Sequence, residues 1–152
     1  MSDVVYATEP LHQWRRDADP LLYDHWQELS SYPDVPLDPD WSWYDQMEAK
    51  QGLVIYTARL DGDLVGYALF VGRNPHPHYK SAFWAMNDII RISPDHRRKG
   101  IGRGLLDYAE ADLKRRGVNF IQIRTKQKHP ELAMMLEARG YEPDEVNYSR
   151  RL

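Results

Sequence analysis

Two apolar, β-prone runs dominate the middle of this chain. They are Leu53-Val-Ile-Tyr-Thr-Ala-Arg-Leu60 and Leu64-Val-Gly-Tyr-Ala-Leu-Phe-Val71, separated only by Asp61-Gly62-Asp63. Runs rich in β-branched and aromatic residues read as strands. An Asp-Gly pair between them supplies the positive backbone angles of a tight hairpin. A third such run, Ser81 to Ile92, follows the turn signal Asn74-Pro-His-Pro-His78 and ends near Ser93-Pro94. The centre of the fold is therefore an antiparallel meander.

The period then changes. Ile101, Leu105, Ala109 and Leu113 recur every four residues and form one helical face, with Gly117 placed as a cap. Val118 to Thr125 alternates into another strand, and Glu131 to Arg139 forms a helix that stops at Gly140. Tyr141 to Leu152 is expected to add a last strand through Val146 and Tyr148. Upstream, Val4 to Ala7 reads as a short strand. Leu11 to Leu29 reads as a helix, with apolar positions at Leu11, Trp14, Leu22, Trp26 and Leu29. Pro33, Pro36 and Pro39 make Ser30 to Trp41 a loop, and Asp40 caps a helix running to about Lys50. The order βααβββαβαβ is α+β, or mixed α/β, and not a doubly wound parallel sheet.

Composition narrows the function classes. A length of 152 residues suits one domain. Without cysteine there is no disulfide, no thiolate metal site and no Cys nucleophile. No apolar run approaches the roughly 20 residues of a membrane span. The start MSDVVYATEP lacks the basic and apolar regions of a signal peptide, so a cytoplasmic location is expected. Net charge is only −3, but it is unevenly placed. Residues 1–63 hold 13 acidic and 4 basic residues, whereas residues 91–128 hold 4 acidic and 11 basic. Either these are two solvated faces, or the basic part meets an anion and the acidic part a cation.

The basic part contains Arg97-Arg-Lys-Gly-Ile-Gly-Arg-Gly-Leu-Leu106, between the third strand and the helix. Each helix-interior Gly costs about 1 kcal/mol relative to Ala, so Gly100, Gly102 and Gly104 need a reason. The first turn of a helix offers unpartnered N–H groups and the positive end of the dipole. Glycines let a phosphate approach that backbone, and Arg97, Arg98, Lys99 and Arg103 add charge. The Walker A and GxGxxG spacings are both absent; the spacing here is R-x-x-G-x-G.

That pattern, after Ile90-Arg-Ile-Ser-Pro94, resembles the acetyl-CoA motif of the GCN5-related N-acetyltransferase (GNAT) family. The resemblance runs through NDIIRISPDHRRKGIGRGLLDYAEADLKRRG and FIQIRTKQKHPELAMMLEARGY and covers about residues 53–148. It implies a single domain over 1–152, with a variable acceptor-side part at 1–52 and an acetyl-CoA-binding core at 53–148. It also implies a central twisted mixed sheet of about six to seven strands flanked by about four helices. The backbone of Ile90, Arg91 and Ile92 would pair with the pantetheine arm. Amides from Arg98 through Lys99, Gly100, Ile101 and Gly102 to Arg103 would hold the pyrophosphate. Arg97 adds charge, and the side chains of Lys99 and Arg103, with Lys126 or Lys128, would reach the adenosine phosphates. His129 stands where many relatives have Asn near the pantetheine, or it is simply a helix-start residue before Pro130. The family is often dimeric.

The implied reaction acetylates an amine, which must be neutral to attack. Without Cys, direct attack in a ternary complex is favoured over an acyl-enzyme. Asp88 lies two residues before Ile90, so both are expected on one face, with Asn87 on the other. Asp88 is either a base or substrate ligand, or a structural hydrogen-bonding residue. The usual general acid, a Tyr four residues before the Gly of the Gly-aromatic pair, is Leu136 here. Tyr141 and Tyr148 are candidates by proximity, Tyr141 being also a natural core aromatic. His76 and His78 do not amount to a metal site, and no metal is expected.

Four of the five tryptophans, Trp14, Trp26, Trp41 and Trp43, lie in the acidic N-terminal part. Aromatics beside carboxylates suit a cationic amine, which points to a polyamine-like or lysine-like acceptor. A CoA-binding sensor or interaction module on the same fold is the alternative. Nucleic acid is disfavoured as a partner by the negative net charge.

Overall fold

The computed structural model describes residues 3–73 and 76–152. The elements are β1 (Val4–Thr8), α1 (Leu11–Leu29), α2 (Trp41–Ala49), β2 (Leu53–Leu60), β3 (Asp63–Arg73), β4 (Trp84–Ile92), α3 (Ile101–Arg115), β5 (Phe120–Gln122) and α4 (Pro130–Ala138). A short 3-10 turn, Pro94–His96, precedes α3. The strands form one sheet in the order β1-β2-β3-β4-β5. Pairing is antiparallel as far as β4 and parallel between β4 and β5. This is a mixed α+β fold, as the hydrophobic pattern predicts. The turn expected at Asn74-Pro75 lies outside the described residues.

Local chemistry accounts for the boundaries. The hairpin closes at Leu60↔Asp63 through Asp61 (φ 53°) and Gly62 (φ 91°), a two-residue turn with both angles positive. Asp40 caps α2 by accepting the Trp43 N–H at 3.0 Å. α3 ends in a Schellman motif, with Val118 N donating to Leu113 O and Gly117 N to Lys114 O. α4 repeats the motif, with Tyr141 N on Leu136 O and Gly140 N on Glu137 O.

The core has a layer on each face of the sheet. On one face α3 buries Ile101, Leu105, Ala109 and Leu113 against Tyr56, Ala58, Ala68 and Phe70. On the other, α1 buries Leu11, Trp14 and Ala18 against Ile55, Leu64, Tyr67 and Leu69. Asp112, on the buried side of α3, accepts the Tyr56 hydroxyl at 2.8 Å and the guanidinium groups of Arg115 and Arg116. Pairing within this network holds the Asp112 carboxyl below its ordinary value despite burial.

Three expectations are corrected. The sheet has five strands, not six to seven. Residues 141–152 form no strand. Their side chains anchor them instead: Gln122 donates to Asp144, Tyr32 to Ser149, and Arg151 to both oxygens of Asp34. Pro143 removes a ladder donor, and the surrounding Glu142, Asp144 and Glu145 are poor strand formers. The strand expected over Val118 to Thr125 is only Phe120–Gln122, because the chain leaves β4 after Met86↔Gln122.

Candidate active site

Asn87 stands where β5 leaves β4. Its Oδ1 accepts the Arg124 N–H at 2.7 Å, and its Nδ2 donates to Arg124 O at 3.3 Å. A side chain thus takes the place of the next backbone pair and wedges the two strands apart. Beyond Asn87 the β5-side edge of β4 has no strand partner among the described residues.

The next residue, Asp88, is a β-bulge. Leu69 pairs with Ile89 and Phe70 with Asn87, leaving Asp88 without an opposite residue. The extra residue inverts the alternation. Asn87 shares a face with Phe70 and α3, as do Ile90 and Ile92, while Ile89 packs on the α1–α2 side. Asp88 is on that second side as well, because its Oδ2 accepts the Tyr44 hydroxyl of α2 at 2.7 Å. The expected sharing of one face by Asp88 and Ile90 is therefore overturned by the bulge. Tyr44 was legible in the sequence only as one aromatic among several. Burial first, and then the Asp88 carboxylate, raise its hydroxyl above the ordinary phenol value and keep it protonated.

The β4–α3 loop has an unusual backbone path. Arg98 (φ 62°) and Gly100 (φ 80°) both adopt left-handed angles, and a side chain at Gly100 would be strained there. Gly104 N donates to Gly100 O at 3.0 Å, the first helical bond. The N–H groups of Ile101, Gly102 and Arg103 precede it and so have no intrahelical acceptor. A Cβ on Gly102 would meet nothing nearer than Ile92 Cγ1 at 3.5 Å, so packing does not demand this glycine. Gly104 differs: its Cβ would lie 2.2 Å from the Tyr6 hydroxyl oxygen. That glycine serves the packing of β1 on α3, not a phosphate.

The basic residues are unequally free. Arg98, Lys99 and Arg103 are exposed, and Lys99 Nζ donates to Asp95 O at 2.9 Å. Arg97 is engaged, with Nε on Ile92 O at 2.9 Å and Nη2 paired with Glu28 at 2.7 Å. Arg91 is buried against α1 and donates to Leu21 O. His129 precedes α4, and its Nε2 lies 2.8 Å from Glu28 O. Lys128 Nζ donates to Ser30 O at 2.7 Å, and Lys126 reaches Ser31. The end of α1 thus ties the donor-side loops to the Pro-rich loop.

That loop and α1 form a groove of about 350 Å³, lined by Trp26, Tyr32, Val35, Leu37, Asp38 and Tyr44 among others. Tyr44 is therefore shared between the groove and Asp88. Trp26, expected on the buried face of α1, lines the groove instead. Trp14 is core, and Trp41 is covered by the Arg15 guanidinium at 3.7 Å. At the groove's rim the Arg151 guanidinium lies 5.5 Å from the Tyr32 ring and pairs with Asp34. Tyr148 is 93% exposed, Tyr141 is tied to Glu110 at 2.8 Å, and Leu136 is buried. His76 accepts the His78 N–H and packs on Trp84.

A buried polar group lies beneath α1. His25 Nδ1 is 3.0 Å from the Tyr67 hydroxyl. Burial, with Arg91 and Arg97 nearby, pushes His25 down to about 4.

Known proteins share this architecture. An aminoglycoside N-acetyltransferase solved in complex with CoA is 15% identical, with a TM-score of 0.75 over 99% of this chain and 96% of that one. A ribosomal-protein-alanine N-acetyltransferase from Brucella melitensis biovar Abortus 2308 is 22% identical, with a TM-score of 0.75 over 99% of both chains. At such identities the likeness is one of fold. An S-(2-succino)cysteine N-acetyltransferase of Bacillus subtilis (strain 168) is 35% identical over 72 residues, 46% of this chain and 41% of that protein's length. The acetyltransferase (GNAT) family model matches residues 9–141. That span takes in strands β2 to β5 with their split, the bulge and the glycine loop, and the chain belongs to the GNAT acetyltransferase family.

Proposed function

We propose that this protein is an acetyl-CoA-dependent N-acetyltransferase that moves an acetyl group to a primary amine by direct attack in a ternary complex. One observation carries the reading. The bulge carboxylate Asp88 stands at the β4–β5 split and shares Tyr44 with an aromatic groove.

The donor side fits acetyl-CoA on the geometry of the loop. Left-handed Arg98 and Gly100, with the free first-turn amides of α3, suit a pyrophosphate. The β4 edge at Ile90, Arg91 and Ile92 suits the pantetheine amides. Lys99 and Arg103 add charge at the loop, with Arg97 and His129 beside it. Bound acetyl-CoA supplies the acetyl group as a thioester. Asp88 accepts the proton shed by the amine nitrogen. A backbone N–H near Ile90 stabilises the charge that develops on the carbonyl oxygen. With Leu136 in the usual place of a Tyr, solvent returns the last proton, or Tyr148 does so after moving inward.

The acceptor is cationic, polyamine-like or lysine-like. Trp26, Tyr32 and Tyr44 provide aromatic faces, and Asp38 a carboxylate. Arg151 of the chain itself already sits on such an aromatic–carboxylate pair at Tyr32 and Asp34. Residues 1–52 build this acceptor side within a single domain.

Leu136, buried and unable to donate a proton, favours a second reading as a CoA-binding module without catalysis. CoA thiol release across anionic, neutral and cationic amines separates the two. Release with cationic primary amines supports the proposal. Turnover of anionic or neutral acceptors alone refutes the acceptor class. CoA binding without release from any amine supports the module.

A further inference from the structure

We infer that Tyr44 is a positioning residue for the transfer, fixing the Asp88 carboxylate at the sheet split through its hydroxyl. The inference rests on the reading of Asp88 as the proton acceptor and extends it to a residue 44 positions away in sequence.

Asp88 has an unusual backbone setting. As the unpaired residue of a bulge, it lacks the cross-strand neighbour that orients an ordinary strand side chain. Asn87 is held by three hydrogen bonds with Arg124 on the β5 side and paired with Phe70 on the β3 side, so the strand immediately before the bulge is fixed from both edges. Among the described residues the Asp88 carboxylate takes one side-chain hydrogen bond, from Tyr44 at 2.7 Å. That bond occupies Oδ2 and leaves Oδ1 for an incoming amine.

Tyr44 is well supported in turn. It sits in the second turn of α2, whose start is capped by Asp40. Its ring packs edge-on against Trp43 at 5.0 Å and tilted against Trp41 at 5.5 Å. Trp41 is pinned by Arg15 above it and by Trp14 of the core. The ring is thus held by apolar packing, and the hydroxyl has one task, the bond to Asp88. A purely structural tyrosine at this place would not need its oxygen. The hydroxyl donates to Oδ2 and so fixes the orientation of the carboxylate at the split. Around Asp88, α2 contributes Tyr44, and from the β5 side the Arg124 guanidinium lies on Asn87 O at 3.3 Å.

Tyr44→Phe removes the oxygen and keeps the ring in the groove. Loss of a hydrogen bond to a charged group is expected to lower kcat about 10-fold. KM for the amine stays within about two-fold, because no substrate contact is removed. In an Asp88→Asn background, adding Tyr44→Phe has no further effect, as coupled residues require. A wild-type kcat in the variant, a loss that appears in KM instead, or a fall in kcat that multiplies with that of Asp88→Asn, overturns the inference. A readout that needs no turnover is the Asp88 carboxyl carbon-13 resonance of folded protein at one fixed pH. A resonance displaced or broadened in Tyr44→Phe supports the positioning role, and an unchanged resonance refutes it. If wild-type protein acetylates no amine, the proposed function fails, and the carbon-13 resonance still decides whether Tyr44 fixes Asp88.

Discussion

Gly104 and Gly102 lie two residues apart in one motif, yet the structure gives them different jobs, and alanine scanning separates them. At Gly104 an added Cβ would fall 2.2 Å from the Tyr6 hydroxyl oxygen and 2.5 Å from Cζ. Carbon atoms in good contact sit about 3.5 to 4.0 Å apart, so the ring has to retreat by about 1 Å or more. Tyr6 is packed against the main core, so that retreat disturbs the contact of β1 with α3. Overpacking of this kind costs about 1–3 kcal/mol. For a domain of this size that is a fall in Tm of roughly 3–10 °C. At Gly102 the nearest atom is 3.5 Å away, an ordinary contact, and alanine there gains helix propensity of about 1 kcal/mol. Gly102→Ala is therefore at least as stable as wild type, and it is expected to lose CoA affinity because its methyl group would stand beside Ile92, at the corner where the proposed pantetheine and pyrophosphate sites meet. The assays are thermal unfolding followed by calorimetric titration with CoA. In a Tyr6→Ala background, Gly104→Ala costs nothing further. Unchanged stability of Gly104→Ala, or an undiminished penalty once Tyr6 is removed, refutes the assignment. Intact CoA affinity in Gly102→Ala refutes the phosphate role of that glycine.

The other expectations concern charge and the reaction. His25 is held at about 4 when folded, against 6.5 in an open chain, so its contribution to stability is complete above 6.5 and is lost as pH falls toward 4. Between pH 7.5 and 4.5 that loss is about 2–3 kcal/mol; urea unfolding of wild type and His25→Phe measures it, and parallel pH dependences would sink the idea. Asp112→Asn weakens the bonds from Tyr56, Arg115 and Arg116 and is expected to cost about 1–3 kcal/mol by the same assay; stability within experimental error of wild type would contradict it. Asp88→Asn lowers kcat by about 100-fold or more at neutral pH with CoA affinity retained, because general-base catalysis is worth 10²–10⁴-fold. Arg103→Gln weakens CoA binding and reduces its salt dependence, and an unchanged salt slope in calorimetry argues against phosphate contact.

Much of the fold was legible because its signals are local. The Asp61-Gly62 turn, the helical face of Ile101 to Leu113 and the Asp40 cap each depend on neighbours within a few residues. The glycine loop was legible for the same reason, although its last glycine was misassigned. Tyr6, which explains Gly104, is remote in sequence. The bulge at Asp88 could not be read from period alone, because one extra residue leaves composition unchanged and inverts the facing of everything after it. Tyr44 carried no motif; it matters only because α2 lies over the bulge. The missing last strand follows from Pro143 and the acidic residues around it, which hydropathy at Val146 and Tyr148 concealed. The basic character of the glycine segment also overstated its freedom, since Arg97 is spent on Ile92 and Glu28.

Direct acetyl transfer to an amine is tested most squarely by a single turnover. Enzyme in excess is mixed with acetyl-CoA labelled with carbon-13 at the carbonyl and a cationic primary amine, and the carbonyl resonance is followed. The expected result is conversion of thioester to amide on the amine nitrogen, with no protein-bound acyl signal, and its suppression in Asp88→Asn. A thioester signal that persists with every amine, or an acyl group appearing on the protein, would contradict the proposed reaction.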